Sequence, residues 1–324
     1  MLEIAFNNHA YRIPDRWEEL TPQQFIHLVG LLRGFTRGEL STETVRALFF
    51  LDAAGLKLKR IHNQEQVDRF AENVYRIADQ LNFMFRIEYE NKKAFSAFSE
   101  GTRKVLYRIL PEELADDSAE IRAARKLKKH RVIDAVVGKN LIPEVPLRRN
   151  TIRGYTFDQT GNLLQFDLTA GDFIDACTVY DQFSETGDPV YLDLITAALY
   201  GNPPIETIRK IDPDTKAAIL FNFQSNLLFL QENTDYAVLW WTQPEKSKKK
   251  ATNRLGFSDS LYTIAKAGYG DLQGLKELPV IDFLNLLIKE LRDAVLALKE
   301  SKKNNAEIAE ATHLTLAQVN FLAQ

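Results

Sequence analysis

The stretch that decides the fold is LTPQQFI at residues 20–26, which recurs as LTAGDFI at residues 168–174. Each copy follows an alternating stretch with turn residues. Each is followed by a second apolar run that stops at a glycine, VRALFFLDAAG at residues 45–55 and YLDLITAALYG at residues 191–201. Self-similarity of this kind indicates a repeat architecture. The sequence therefore predicts a mainly α-helical protein with a duplicated helical module.

The first copy carries clear signals for the start of a helix. Thr21 is an N-cap residue, Pro22 suits the first helical position, and Gln24 completes a capping box. Before it, residues 2–6 and 9–13 flank Asn7-Asn8, a pair that favours a tight hairpin turn. Helices are expected over residues 42–54, ending at Gly55, and after Asn63. A short strand follows over residues 82–89, with a helix over residues 102–110.

The second copy has the same plan. Two alternating runs, residues 155–157 and 163–168, surround the turn sequence DQTGN and predict a second β-hairpin. Helices are expected over residues 170–184, 188–200 and 213–232, with GNPP at residues 201–204 separating the last two. A C-terminal helical segment includes residues 259–267 and a long amphipathic helix over residues 280–300.

These patterns predict four parts of the chain. Residues 1–115 form a hairpin and helical module, and residues 151–245 form the second. Residues 116–150 form a charged connector between them, because an acidic start runs into RAARKLKKHR and the stretch contains Pro143 and Pro146. Residues 246–324 form a lysine-rich linker and the C-terminal helical region.

Composition limits the class of protein. The chain has 324 residues, is 45% hydrophobic and 26% charged, and has a net charge of −3. A chain of this composition can bury a substantial core. Its slightly negative net charge argues against electrostatic attraction of the whole surface to nucleic acid or anionic lipid. Its first residues lack a signal-peptide pattern, and no apolar run is long enough to span a membrane. We therefore expect a soluble protein in the cytoplasm of the cell that makes it.

Motifs for catalysis, metals and cofactors are absent from the sequence. No phosphate-binding loop, dinucleotide fingerprint, H-E-x-x-H or paired C-x-x-C occurs, and the five histidines are scattered. Asp212-Pro-Asp214 has the form of a turn leading into a helix rather than of paired catalytic carboxylates. We therefore expect no catalytic residue, no cofactor and no metal site, and a protein that is not an enzyme.

Two features indicate contact with nucleic acid, each beside a simpler interpretation. Residues 122–131 hold six cations, which would neutralise phosphates or would form a solvated face; they are Arg122, Arg125, Lys126, Lys128, Lys129 and Arg131. Residues 306–322 have the apolar rhythm of a helix-turn-helix, although His313 stands where the turn usually has glycine. With few basic residues in its second helix, a packing hairpin is the simpler interpretation.

Adjacent Trp240 and Trp241 are the candidate protein-interaction residues. Two neighbouring rings on one element cannot both face the same core, so one is expected at an interface or covering the edge of the core.

Four stretches resemble proteins of tailed phages and prophages of Bacteroides-like bacteria. They are W-x-x-L-T-x-x-Q-F at residues 17–25, LTAGDFIDA at residues 168–176, YLDLITAALY at residues 191–200 and SLYTIAKAGYG at residues 260–270. The resemblance implies a virion-morphogenesis protein encoded among tail genes, with no active-site residues. The chain departs from tail assembly chaperones in being long and duplicated.

These observations lead to two functional hypotheses. The first is a non-enzymatic phage structural or assembly protein, an adaptor or chaperone for tail or virion proteins. It would act through protein–protein contacts, with self-association and incorporation into the virion left open. The alternative is a nucleic-acid-binding or replication accessory protein that uses residues 122–131 and the helix-turn-helix-like element.

Overall fold

A computed structural model describes residues 1–6, 9–56, 64–148, 150–161, 163–240 and 257–324, except for the side chains of residues 5, 6, 64–66 and 258. It confirms the predicted class. The chain is mainly α-helical, and every sheet within the described residues consists of two antiparallel strands. The Asn7-Asn8 turn and the Asn63 cap lie outside the described residues. The chain divides into two compact units, Met1–Ala135 and Val136–Gln324.

The first unit combines two strand pairs with six α-helices among its described residues. A 3-10 turn at Trp17–Glu19 precedes the first α-helix. Strand β1 pairs with β2, and β3 pairs with β4. The strands are β1 Leu2–Phe6, β2 His9–Ile13, β3 Phe85–Tyr89 and β4 Lys129–Ile133, and the helices are α1 Pro22–Thr36, α2 Thr42–Ala53, α3 Gln64–Ala78, α4 Lys92–Ser96, α5 Glu100–Leu106 and α6 Ala119–Arg125.

The second unit begins with two short hairpins and is helical from there on. Strand β5 pairs with β6, and β7 pairs with β8. A 3-10 helix, Asp235–Trp240, follows α10. The strands are β5 Glu144–Pro146, β6 Thr151–Arg153, β7 Phe157–Thr160 and β8 Leu163–Phe166, and the helices are α7 Ala170–Thr186, α8 Pro189–Leu199, α9 Ile205–Ile208, α10 Pro213–Asn233, α11 Phe257–Lys266, α12 Leu272–Glu277, α13 Val280–Glu300, α14 Asn305–Thr312 and α15 Leu316–Leu322.

The repeated stretch starts a helix in both units, as predicted. The Thr21 hydroxyl accepts the amide hydrogen bond of the third helical residue of α1, and Thr169 does the same for α7. Both caps follow a β-hairpin, and Phe25 and Phe173 are each fully buried. The next helix of each unit is followed by a glycine with positive φ, 63° at Gly55 and 74° at Gly201, a conformation that favours glycine. The predicted order of hairpin, capped helix and glycine-terminated helix is therefore confirmed in both.

Residues 116–150, predicted as a connector, divide between the two units. The first half belongs to the first unit, where α6 packs on a small apolar cluster and β4 pairs with β3 along its whole length. The second half begins the second unit and forms β5. No strand is predicted at KHRVI, residues 129–133, because three basic side chains precede its two apolar ones. The helix predicted over residues 102–110 also begins earlier, at Glu100, because Ser99 caps it.

An extended segment at the start of the second unit, residues 137–142, is held by buried amide side chains of α10. Asn222 is fully buried. Its Oδ1 accepts a hydrogen bond from the backbone N–H of Leu141 at 2.6 Å, and its Nδ2 donates to the Lys139 carbonyl at 3.0 Å. One asparagine thereby satisfies a buried backbone donor and a backbone acceptor of the same segment.

Asn226, one helical turn further along α10, holds the same segment. Its Nδ2 donates to the carbonyls of Val137 at 2.8 Å and Lys139 at 3.1 Å, and its Oδ1 accepts from the Tyr155 hydroxyl at 2.7 Å. Burial raises the pKa of Tyr155 well above its usual value, so this hydroxyl remains a donor. The start of the second unit is thus fixed to α10 by a hydrogen-bonded polar network.

Candidate interaction sites

Arg125 of the basic segment, residues 122–131, serves the fold of the first unit. Its guanidinium donates three hydrogen bonds at 3.0 Å to backbone carbonyls, those of Pro111, Leu114 and Asp116. Its Nη1 also lies 2.7 Å from a carboxylate oxygen of the preceding acidic stretch. Arg125 therefore holds the loop before α6 against that helix, which leaves little of its hydrogen-bonding capacity for a ligand.

Lys129 donates hydrogen bonds to carbonyls at the C-terminal end of α6. Its Nζ donates to the carbonyls of Ala124, Arg125 and Leu127 at 3.2–3.4 Å and lies 2.7 Å from a carboxylate oxygen of Glu112. The last carbonyls of a helix lack intrahelical partners and carry partial negative charge, so a lysine ammonium satisfies both needs. Lys129 is a helix-capping residue in this structure.

The remaining cations of the basic segment divide into two kinds. Arg131 forms an ion pair with Glu113, and its side chain is mostly covered. Arg122 is 61% exposed with a carboxylate 3.6 Å away, and Lys126 and Lys128 are exposed. Of the six candidate nucleic-acid contacts, Arg122, Lys126 and Lys128 are therefore the ones presented to solvent.

Trp240 lies at the end of the 3-10 helix after α10 and is half-buried. Its ring meets the Phe257 ring edge-on, with centroids 5.7 Å apart. This is the contact expected if Trp240 covers the edge of the core, which is one of the two interpretations of the tryptophan pair. Trp241 lies outside the described residues.

The helix-turn-helix-like element consists of α14 and α15, with Thr315 capping the second helix. His313 adopts φ 57° in the turn, the left-handed conformation that favours glycine. The buried faces of both helices join one apolar cluster, and Gln318 of α15 donates to the Val238 carbonyl at 2.7 Å. The outer face of α15 presents Leu316 and Asn320 and no cation, which fits packing or protein contact better than phosphate contact.

A groove in the second unit, here called the hairpin–helix groove, has a mixed lining and a volume of about 700 Å³. Strand β8 contributes Leu163 and Leu164, α13 contributes Ile281 and Ile288, and α15 contributes Phe321. Leu163 is 62% exposed, a high value for a leucine. These positions come from segments far apart in the sequence, so only the amphipathic pattern of α13 could have indicated part of the groove.

The polar lining of the hairpin–helix groove is mostly neutral. Tyr236 donates a hydrogen bond from its hydroxyl to Asn285 Oδ1 at 3.0 Å, and Asn233 lies beside them. Burial raises the pKa of Tyr236, and the nearby Asp235 carboxylate adds to this, so the hydroxyl stays protonated. Asp235 and Arg292 are the charged lining residues. The neutral amide and hydroxyl groups can form hydrogen bonds with a peptide backbone. The apolar side chains beside them can contact apolar side chains of the same peptide.

Three further observations apply to the part of the chain that the structure describes. No group of three or more His, Cys, Asp or Glu side chains there is placed to hold a metal ion. Nor does any helix there combine the length and the apolar character needed to cross a membrane. The single cysteine, Cys177, has a pKa raised by burial, which disfavours its reactive thiolate form.

Comparisons of the chain with protein-family models, with curated proteins and with solved structures give no match.

Proposed function

We propose that this chain is a non-enzymatic adaptor that binds other proteins, and that the hairpin–helix groove of the second unit is a binding surface. The observation that carries the proposal is the lining of this groove. Exposed Leu163 stands beside Ile281, Ile288 and Phe321, with the amide of Asn285 among them. Exposed apolar side chains grouped with polar groups are typical of protein interaction sites.

The charge of the groove favours a protein over a nucleic acid. A phosphate backbone needs several cations, and Arg292 with Asp235 gives the lining no net positive charge. Neutral hydrogen-bonding groups such as Asn233 and Asn285 instead match the amide groups of a peptide. The proposed ligand is therefore a protein segment with apolar side chains.

We further propose that the adaptor acts in the assembly of a phage tail or virion. This narrower proposal is supported by the motifs that resemble phage morphogenesis proteins, such as LTAGDFIDA at residues 168–176, and by the repeated helical module. A protein that joins others during assembly needs binding surfaces more than a reactive centre. The products of the genes flanking this one are the partners to test first.

Replacing Leu163 with aspartate should weaken partner binding through the groove. A charge at this position would have to be desolvated against Ile288 and Phe321, so we expect the affinity for a bound gene product to fall about tenfold or more. Co-purification with each flanking gene product, followed by calorimetric titration, measures the effect. Leu194→Asp is the matched control, since Leu194 on α8 is 42% exposed and does not line the groove.

The adaptor proposal fails if the protein is strictly monomeric by light scattering and binds none of the flanking gene products. If it binds one of them and Leu163→Asp binds equally well, the adaptor proposal stands and the groove is the wrong surface. An equal loss in Leu194→Asp would likewise contradict the assignment to the groove.

The second candidate function is nucleic-acid binding, favoured by the exposure of Arg122, Lys126 and Lys128. If these cations meet phosphates, replacing all three with alanine should reduce the slope of log K against log salt by about two to three. Gel shifts on duplex DNA over a range of salt concentrations measure it. Arg125 and Lys129 are left intact because their loss would disturb α6 rather than a ligand.

A matched triple replacement in the second unit serves as the control. Lys266, Lys302 and Lys303 are exposed and lie outside the basic segment, so their replacement with alanine should leave the salt slope of a specific site unchanged. An equal effect of both triples would mean that only general charge matters. Absence of any shift at low salt would remove this candidate function.

A further inference from the structure

The hairpin of β7 and β8 has one covered edge and one open edge. On the far side of β7, the Gln159 N–H donates to the Gly138 carbonyl at 3.1 Å. The Asn140 N–H donates to the Phe157 carbonyl at 2.7 Å on the same side. Within the described residues β8 pairs with β7 and with no other strand. The open edge of the hairpin is therefore the outer side of β8.

The hydrogen bonds of the hairpin fix which backbone groups of β8 point outward. Asp167 donates its N–H to the Thr156 carbonyl at 3.2 Å, toward the β7 side. Backbone groups of successive residues in an antiparallel strand point alternately to its two sides. Counting back from Asp167, the N–H and C=O groups of Phe166 and Leu164 face away from β7. Among the described residues no hydrogen bond reaches the backbone of Leu164, which lines the hairpin–helix groove.

The same edge is already paired a few residues further along the chain. Residues 278–280 run antiparallel to residues 168–170, and the Val280 N–H donates to the Leu168 carbonyl at 2.9 Å. Leu168 lies four residues from Leu164, so its outward carbonyl belongs to the same edge. One extended segment of this chain therefore occupies the start of the edge.

Helix α13 begins at Val280, so the chain leaves the edge there. The groove is lined by one face of this helix, with positions three or four residues apart: Ile281, Asn285, Ile288 and Arg292. From Val280 to Arg292 the helix advances about 18 Å, and from Leu168 back to Leu163 the strand covers about 17 Å. Because lining residues occur at both far ends, the groove runs lengthwise between β8 and α13.

We propose that a partner protein inserts an extended segment into the hairpin–helix groove and pairs with the outer edge of β8 as an added strand. This inference rests on the proposed adaptor function and assigns the form of its ligand. The Leu164 N–H and C=O bond to the backbone of the segment. Alternate side chains of the segment are apolar and pack on Ile281 and Ile288.

An extended segment fits this groove better than a helix does. The backbone groups of a helix bond to one another along its length, so a docked helix would leave the edge at Leu164 unpaired. A strand instead continues the pairing that residues 278–280 begin. Neighbouring strands need a separation of only about 5 Å, whereas a helix with its side chains is about 10 Å across.

The test uses the full chain and three fluorescein-labelled peptides. KVTVEVTK alternates apolar and polar residues as a half-buried strand does, and KTTVVVEK has the same composition without the alternation. LKELLKKLLEEL forms an amphipathic helix. Fluorescence anisotropy measures each affinity. We expect KVTVEVTK to bind more tightly than either comparison peptide.

Hydrogen exchange and a proline variant test the pairing itself. The Leu164 amide should become protected when KVTVEVTK binds, whereas the Gln165 amide, which faces β7, should change little. Leu164→Pro removes the outward N–H, and the control Leu164→Ala keeps it. We therefore expect Leu164→Pro to bind KVTVEVTK about three to ten times more weakly than Leu164→Ala, the effect of one hydrogen bond.

Several results would overturn the proposal: no binding of KVTVEVTK, tighter binding of LKELLKKLLEEL, or unchanged exchange at Leu164 in the complex. Protection of Leu164 that grows with protein concentration alone would overturn it in favour of a second copy of this chain. If Leu164→Pro has a lowered Tm, exchange in the unaltered chain decides. The Leu163→Asp experiment judges the adaptor function separately. A flanking gene product that binds there without protecting Leu164 would leave the adaptor function standing and reject the added strand.

Discussion

Phe173→Ala should lower the free energy of unfolding by about 3–5 kcal/mol, the usual effect of removing a buried phenylalanine. The side chain is fully buried near the start of α7, and rings from three other segments meet it edge-on. The centroid distances are 5.9 Å to Phe166, 6.4 Å to Phe223 and 5.3 Å to Phe257. Because these rings belong to different elements, the cavity left by alanine cannot close by moving one side chain. Chemical denaturation followed by tryptophan fluorescence measures the loss.

Phe25→Ala should have an effect of the same size in the first unit, where Phe25 is fully buried and meets Trp17 edge-on at 6.1 Å. The controls are the caps of the same helices. Thr21→Ala and Thr169→Ala should each cost only about 1 kcal/mol, as the loss of an N-cap does. If the phenylalanine variants prove as stable as the threonine variants, the repeated stretch does not anchor the two cores.

Asn222→Ala should also be strongly destabilising, by about 2–4 kcal/mol, because it leaves the buried Leu141 N–H unsatisfied and creates a cavity. The Leu141 N–H would lose its acceptor, and the Lys139 carbonyl would lose one of its two donors. Protection of the Leu141 amide against hydrogen exchange should fall in the same variant. Gln224→Ala is the control on α10, half-buried and expected to change stability by no more than about 0.5–1 kcal/mol.

Equal stability of the two α10 variants, or unchanged exchange at Leu141, would contradict the role given to Asn222. A loss of stability without a change in exchange would point to the cavity alone. The two measurements together therefore separate the hydrogen bond from packing.

The parts of the fold that the sequence predicted are those with local chemical signals. Helix α13 was expected over residues 280–300 and has those bounds, because its amphipathic pattern is long. Helices α1 and α7 were placed by their capping threonines, since an N-cap acts within one helical turn. The short strand expected over residues 82–89 is confined to Phe85–Tyr89.

The parts that escaped prediction depend on residues distant in sequence. Strand β4 overlaps the end of the basic segment, and only its pairing with β3 makes it a strand. The hairpin–helix groove is assembled from β8, α13 and α15, and no single window of sequence contains it.

Ion pairs formed by Arg125, Lys129 and Arg131 change the electric field that an approaching molecule meets. Each lies beside a carboxylate within ordinary ion-pair distance, at Asp117, Glu112 and Glu113. Such a pair acts as a dipole, whose potential falls off faster with distance than that of a single charge. At physiological salt the screening length is about 8 Å, so these pairs contribute little to long-range attraction. A diffusing partner is therefore steered by far fewer charges than the run RAARKLKKHR contains.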